Sequence, residues 1–204
     1  MKLVIISDKA LQLELLAQGL AGDPELRWQS SPVTEKADAC IDLLFDDSEA
    51  RLQQLKQAGY PLVIINTVSA QALPPGFVAI NGWPGFLSGN LTEAASDGPA
   101  ERPEMEKVWG CFQKKPEWLP ATPGFVTPRV ISMIINEAYL ALEENVSTRA
   151  EIDTAMKLGT GYPFGPFEWA ERIGLKRVYS LLKKLSAIHP RYSPAPLLVK
   201  EANA

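Results

Sequence analysis

Between Glu151 and Gly174 the sequence sets Gly159, Gly161, Pro163, Gly165, Pro166 and Gly174 among apolar residues. Such punctuation admits few backbone paths, and it predicts helix, hard turn, helix. Thr148 and Glu151 have the spacing of a capping box, in which each satisfies an amide left open at a helix start. Ile152, Ala155, Met156 and Leu158 form an apolar face, and Gly159 is placed to stop the helix in a left-handed conformation. Pro166 suits the first turn of a second helix, where its missing N–H is not needed. That helix carries Phe167 and Trp169 and ends at Gly174. Tyr162, Phe164, Phe167 and Trp169 alternate with the turn residues and read as core, not as a ligand box.

Ahead of this stretch the pattern differs. Leu3–Ile6, Leu26–Gln29, Ala39–Phe45, Pro61–Ile65 and Phe77–Ile80 read as short buried strands, and Ala10–Leu20 and Ser48–Ala58 as helices between them. That alternation indicates a parallel α/β sheet. Residues 96–103 are polar and broken by Gly98, Pro99 and Pro103, and read as a linker. Met105, Val108, Trp109 and Phe112 then make a helical stripe. Pro128 begins a helix to about Glu144, capped by Thr127 and apolar nearly all round, which predicts burial on every side. The fold class is therefore α/β followed by all-α: a reduced Rossmann-like domain over 1–95, a linker over 96–104 and a helical domain over 105–204.

Pro123–Val126, Arg129, Asn136–Ala138, Ile152-Asp153, Ala155-Met156, Gly165-Pro166, Ile173–Leu175 and Arg191–Leu198 together resemble the C-terminal domain of the 3-hydroxyacyl-CoA dehydrogenases, 3-hydroxybutyryl-CoA dehydrogenases included. The resemblance covers roughly residues 105–198. It implies a helical domain that pairs with its twin in a homodimer, an acyl-CoA-like ligand, and an N-terminal domain that binds NAD.

Several positions depart from that family. A dinucleotide turn needs glycines, so that the backbone approaches the pyrophosphate at a helix N-terminus. The three glycine positions are here Ser7, Lys9 and Gln12, and Trp28, Gln29 and Ser30 stand where the ribose-binding acid belongs. The interval Ser30–Asp38 is too short for the family's helical insertion at the acyl-CoA site, and the connection from Thr67 to Phe77 is shortened. In the catalytic dyad the family histidine falls on Asn81 and the glutamate on Glu93, with the spacing intact. An asparagine amide gives and takes hydrogen bonds but accepts no proton near neutrality. Loss of a general base costs about a hundred- to ten-thousand-fold in rate. Pro84 and Pro128 replace two substrate-side asparagines, and Val68 replaces a serine that a one-residue shift returns as Ser69.

Other chemistry finds little support. The net charge of −4 argues against nucleic acid as the main partner. Cys40 and Cys111 form no close-spaced pair and read as buried reduced thiols, and with the single His189 they build no metal site. His189 reads as a capping or exposed residue. Lys176, Arg177, Lys183 and Lys184 read as the wet face of a helix. No run is long enough to span a membrane, and the short N-terminal apolar run predicts a cytoplasmic protein.

Three functions remain in play. The first is a family member with no NAD cofactor and no hydride transfer, serving in binding or assembly. The second is an active NAD-dependent dehydrogenase with altered cofactor contacts. The third is an enzyme of another class using Glu93 as acid or base.

Overall fold

The computed structural model describes residues 1–69 and 72–204, and the chain divides into two compact units, Met1–Phe125 and Val126–Ala204. In the first unit the apolar runs form β1 (Lys2–Ile6), β2 (Glu25–Gln29), β3 (Ala39–Asp42), β4 (Val63–Asn66) and β5 (Phe77–Ile80). Helix α1 (Lys9–Leu15) follows β1, and α2 (Glu49–Ala58) follows β3. Two further strands, β6 (Leu91–Ala95) and β7 (Lys115–Trp118), flank helix α3 (Arg102–Gly110). The strands join in one sheet of order β2-β1-β3-β4-β5-β6-β7. Neighbours pair in parallel, except that β6 runs antiparallel to β5.

Central strands of such a sheet are covered on both faces and therefore read as continuous apolar runs. Leu3 to Ile6, Ile41, Ile64, Val78 and Ile80 are accordingly shut off from solvent. The short interval between β2 and β3 contains no helix, and of the connection from Thr67 to Phe77, residues 70 and 71 lie outside the described set.

The domain boundary needs correction. The structure divides at Phe125, not at 96–104, and residues from 105 onward do not all belong to the helical unit. Met105, Val108, Trp109 and Phe112 pack into the core of the sheet with Leu87 and Ala94. The stripe they form therefore completes the first unit. β7 extends the sheet at its edge, the position where Pro116, lacking an N–H, is tolerated.

The second unit holds α4 (Thr127–Glu143), α5 (Arg149–Thr160), α6 (Pro166–Ile173), α7 (Leu175–Ser186), a 3-10 turn at Pro190–Tyr192 and α8 (Pro196–Ala202). The Thr148–Glu151 capping box is present. Gly159 stays helical, and the left-handed cap is Gly161 at φ 71°, because the helix runs two residues further than its apolar face suggests. α4 starts at Thr127 itself and is not buried all round: Val130 is 47% exposed, and Glu137 faces solvent. Of the four turn aromatics only Phe167 and Trp169 are core; Phe164 is half-buried and Tyr162 exposed.

Side chains then explain the residues of the resemblance in this unit. The Asp153 carboxylate accepts from the Phe167 amide at 2.8 Å, closing the start of α6. The Asn136 carboxamide donates to the Ser193 carbonyl at 3.0 Å and accepts from the Ala195 amide at 2.8 Å, fixing the closing segment against α4. These residues hold the unit's shape. His189 accepts from the Arg191 amide as the cap of the 3-10 turn, and Lys176, Arg177, Lys183 and Lys184 line the wet face of α7.

Candidate functional site

In an open α/β sheet, ligands bind outside the C-terminal ends of the strands, where the strand order reverses. Here the order reverses at β1, which has β2 on one side and β3 on the other. Ser7 continues the ladder past β1, its amide donating to the Gln29 carbonyl at 3.1 Å. Asp8 then caps α1, its carboxylate accepting from the Leu11 amide at 2.8 Å. The helix end at this reversal thus already has an acidic side chain on it. Lys9 and Gln12 lie on α1 and join each other, Nζ to Oε1, at 3.3 Å.

The neighbouring strand tips are tied together by side chains. Asn66, at the end of β4, donates to the Leu43 carbonyl at 3.0 Å and to the Gly82 carbonyl at 2.9 Å, and accepts from the Gly82 amide at 2.9 Å. One carboxamide therefore braces the loops after β3 and β5. A Cβ at Gly82 would come within 2.9 Å of that carboxamide, so only glycine fits beside it. Glu14 reaches from α1 to the Gly85 amide, with both carboxylate oxygens about 3 Å away. Lys114 is buried, and its Nζ donates to the carbonyls of Leu87 and Gly89 at 2.7 Å each. Burial holds its ammonium pKa below the usual lysine value, against an opposing pull from Glu14.

Asn81 and Glu93 come together. The Asn81 amide nitrogen Nδ2 donates to Glu93 Oε2 at 2.9 Å, and its Oδ1 accepts from the Trp83 amide at 3.3 Å. Backbone pairing fixes the same two residues, the Asn81 N–H donating to the Glu93 carbonyl at 3.0 Å. The antiparallel step from β5 to β6 is what makes this possible: residues far apart in sequence become cross-strand neighbours. Asn81 is buried, and both ends of its carboxamide are engaged. Val68 is buried, while the Ser69 amide turns back to the Thr67 hydroxyl.

Beside this cluster Asp42, wholly buried at the end of β3, pairs with Arg51 of α2 at 2.7 Å and accepts from the Leu44 amide. Burial pushes the Asp42 carboxyl upward, opposed by the guanidinium, whose own pKa the hydrogen bond to Asp42 raises. Cys40, also buried, has its thiol pushed up to about 12 by burial, which leaves it inert. Cys111 is half-exposed, not buried as its apolar neighbours suggest; both cysteines are free. Among the described residues no cluster of three metal-binding side chains occurs, and no helix is long and apolar enough to cross a membrane.

Asp8, Glu14, Asn66 and Lys114 escaped the sequence reading. Only Asp8 left a signal there, an N-cap residue just ahead of a helical pattern.

Fold and site together define a reduced Rossmann-like unit followed by a helical unit. Residues 124–204 match the family profile of the 3-hydroxyacyl-CoA dehydrogenase C-terminal domain. The chain is 43% identical over 82 residues to 3-hydroxyadipyl-CoA dehydrogenase of Escherichia coli, and 39% identical over 82 residues to human mitochondrial hydroxyacyl-coenzyme A dehydrogenase. Each match takes in 39% of this chain but only 17% and 26% of those two proteins. Over the whole chain the fold is similar to (S)-3-hydroxybutyryl-CoA dehydrogenase PaaH1 of Ralstonia eutropha, with a TM-score of 0.74 at 19% identity, covering 98% of this chain and 92% of that one. FadB2 of M. tuberculosis gives 0.76 at 16% identity, covering 99% and 93%. Residues 124–204 thus match the C-terminal domain of the 3-hydroxyacyl-CoA dehydrogenases, and the chain shares the fold of solved members of that group.

Proposed function

We propose that this protein works in acyl-CoA and fatty-acid metabolism without binding NAD or transferring hydride, as a binding or assembly protein that pairs with a second copy through its helical unit and takes an acyl-CoA-like ligand. The observation that carries this reading is the Asn81–Glu93 pair. A dehydrogenase acting on a hydroxyl needs a group to receive its proton. Asn81 has no such capacity, and its carboxamide is spent on Glu93 and Trp83. A pyrophosphate set at the start of α1 meets the Asp8 carboxylate, which repels it and already occupies the Leu11 amide. Side chains at Ser7, Lys9 and Gln12 crowd the turn, so the residues present do not fit a dinucleotide. A cytoplasmic location accords with this metabolic setting.

The alternative, an active NAD-dependent 3-hydroxyacyl-CoA dehydrogenase, draws on Glu93 retained within hydrogen-bond reach of the dyad position. One titration separates the two. NADH added to the protein is expected to leave the fluorescence of Trp28 and Trp83 without saturable quenching, and acetoacetyl-CoA with NADH is expected to give no turnover. Micromolar saturation, or turnover abolished by Glu93→Gln, establishes the alternative instead.

A further inference from the structure

The two edges of the sheet are finished differently. On β7 the Lys115 amide donates inward to the Asn90 carbonyl at 2.7 Å, so Pro116, next along, removes an amide that would point outward. β2 forms the other edge and contains no proline. The Glu25 amide donates to the Met1 carbonyl at 2.9 Å, and the Ser7 amide to the Gln29 carbonyl at 3.1 Å, so Glu25 and Gln29 turn their backbone toward β1. Directions alternate along a strand, and Leu26 and Trp28 therefore point their N–H and C=O groups away from the sheet. The usual doubly wound sheet has a further strand outside its second. Here the chain passes from β2 to β3 through residues 30–38 without one, and among the described residues nothing pairs with the outer edge of β2.

Side chains on this edge indicate what pairs there. Leu26 and Trp28 are half-buried at the margin of the core that α1 and α3 cover, and a strand laid against β2 extends that apolar layer. On the opposite face lie Glu25 and Arg27, an ion pair at 2.8 Å with both side chains more than half exposed. An acidic strand suits Arg27 and is repelled by Glu25, and a basic one the reverse. A second β2 running antiparallel carries the two charges in opposite order. Centred on Leu26, it sets each Arg27 directly across from the partner's Glu25. Centred on Arg27, it sets guanidinium against guanidinium, and centred on Trp28 it leaves neither charge with an opposite one across from it.

We infer that two copies join their sheets edge to edge, β2 against β2, antiparallel about a twofold axis at Leu26. Leu26 then exchanges both backbone hydrogen bonds with the partner's Leu26, as the hydrogen-bonded pair of an antiparallel ladder does. The Trp28 amide meets the carbonyl of the partner's Pro24. A twofold contact must be self-complementary, and this one is in both backbone and charge. It lies in the first unit and stands or falls separately from the helical pairing proposed above.

Disulfide trapping in the full chain tests it, with circular dichroism to verify folding. In a Cys111→Ser background, which leaves only the buried Cys40, Leu26→Cys is expected to link two copies on mild oxidation at micromolar concentration. Hydrogen-bonded antiparallel partners have Cα atoms about 5.5 Å apart, within reach of a disulfide. Trp28→Cys is expected to link about tenfold more slowly or less, because its own copy stands four residues further along the ladder. Arg27→Glu added to Leu26→Cys is expected to slow linking about tenfold, and Glu25→Arg added to both to restore it, the signature of a directly coupled pair. Equal linking at positions 26 and 28 overturns the register, and so does a rate indifferent to Arg27→Glu. No linking at position 26 overturns the edge pairing itself, whether or not the helical units pair in the same sample.

Discussion

Gly165→Ala is expected to be the most damaging single methyl group in the helical unit. The backbone of Gly165 is unremarkable, at φ −74°, so conformational freedom is not the reason glycine is needed. Space is. A Cβ there would lie 2.3 to 2.4 Å from Oδ1, Cγ and Cβ of Asp153, distances at which something must move. Asp153 cannot retreat freely, since its carboxylate holds the Phe167 amide at the start of α6. Overpacking of this kind costs about 1–3 kcal/mol, and a hydrogen bond to a charged group contributes about 1.5–3 kcal/mol. The combined loss of about 2.5–6 kcal/mol is a large share of the 5–15 kcal/mol that keeps a domain folded. Urea unfolding followed by circular dichroism gives the value directly. A loss under about 1 kcal/mol contradicts the argument.

Arg51→Met is expected to cost about as much in the first unit, by electrostatics. Asp42 is completely buried, and Arg51 is the cation against it. Removing one member of a buried pair costs about 3–5 kcal/mol, because the other charge is left in low dielectric. The effect depends on pH, with a definite sign. Burial already raises the Asp42 pKa in the folded protein above its unfolded value, and losing Arg51 raises it further. A group whose folded pKa is raised adds stability below its unfolded pKa, and that contribution is lost as pH rises through the folded one. The deficit of Arg51→Met is therefore smallest in acid, where Asp42 takes up a proton, and grows toward neutral pH. Asp42→Leu added to Arg51→Met is expected to recover much of the loss. A deficit that does not change with pH excludes an ionised Asp42 as its source.

The central strands were legible in the sequence because burial on both faces makes each an unbroken apolar run, as in Leu3–Ile6. β6 and β7 were not. Leu91–Ala95 has Thr92 and Glu93 in its middle and an exposed Leu91, and Lys115–Trp118 lies at the sheet edge with a proline in it, so neither has the apolar run of a central strand. The boundary error follows from the same blindness: the stripe Met105, Val108, Trp109 and Phe112 specifies a helix with a wet and a dry side, but not which core the dry side joins. α4 misled in the other direction. Its apolar residues all round imply complete burial, whereas Val130, Met133 and Ile134 keep some exposure in the single chain. Sequence spacing paired Asn81 with Glu93, which the fold joins by a hydrogen bond, but was silent on Asn66, Glu14 and Lys114. Their partners, Gly82, Gly85 and the Leu87–Gly89 loop, are brought near by the fold alone.

Lys114 gives the chain a built-in stopwatch. Its amine is nearly inaccessible, and both carbonyls it holds lie in the segment that joins Asn81 to Glu93. An acylating reagent such as an N-hydroxysuccinimide ester consumes exposed amines like Lys9 and Lys176 at once, but reaches Lys114 only when that segment lifts away. Peptide mass mapping of the delayed adduct then clocks how often the strand tips come apart.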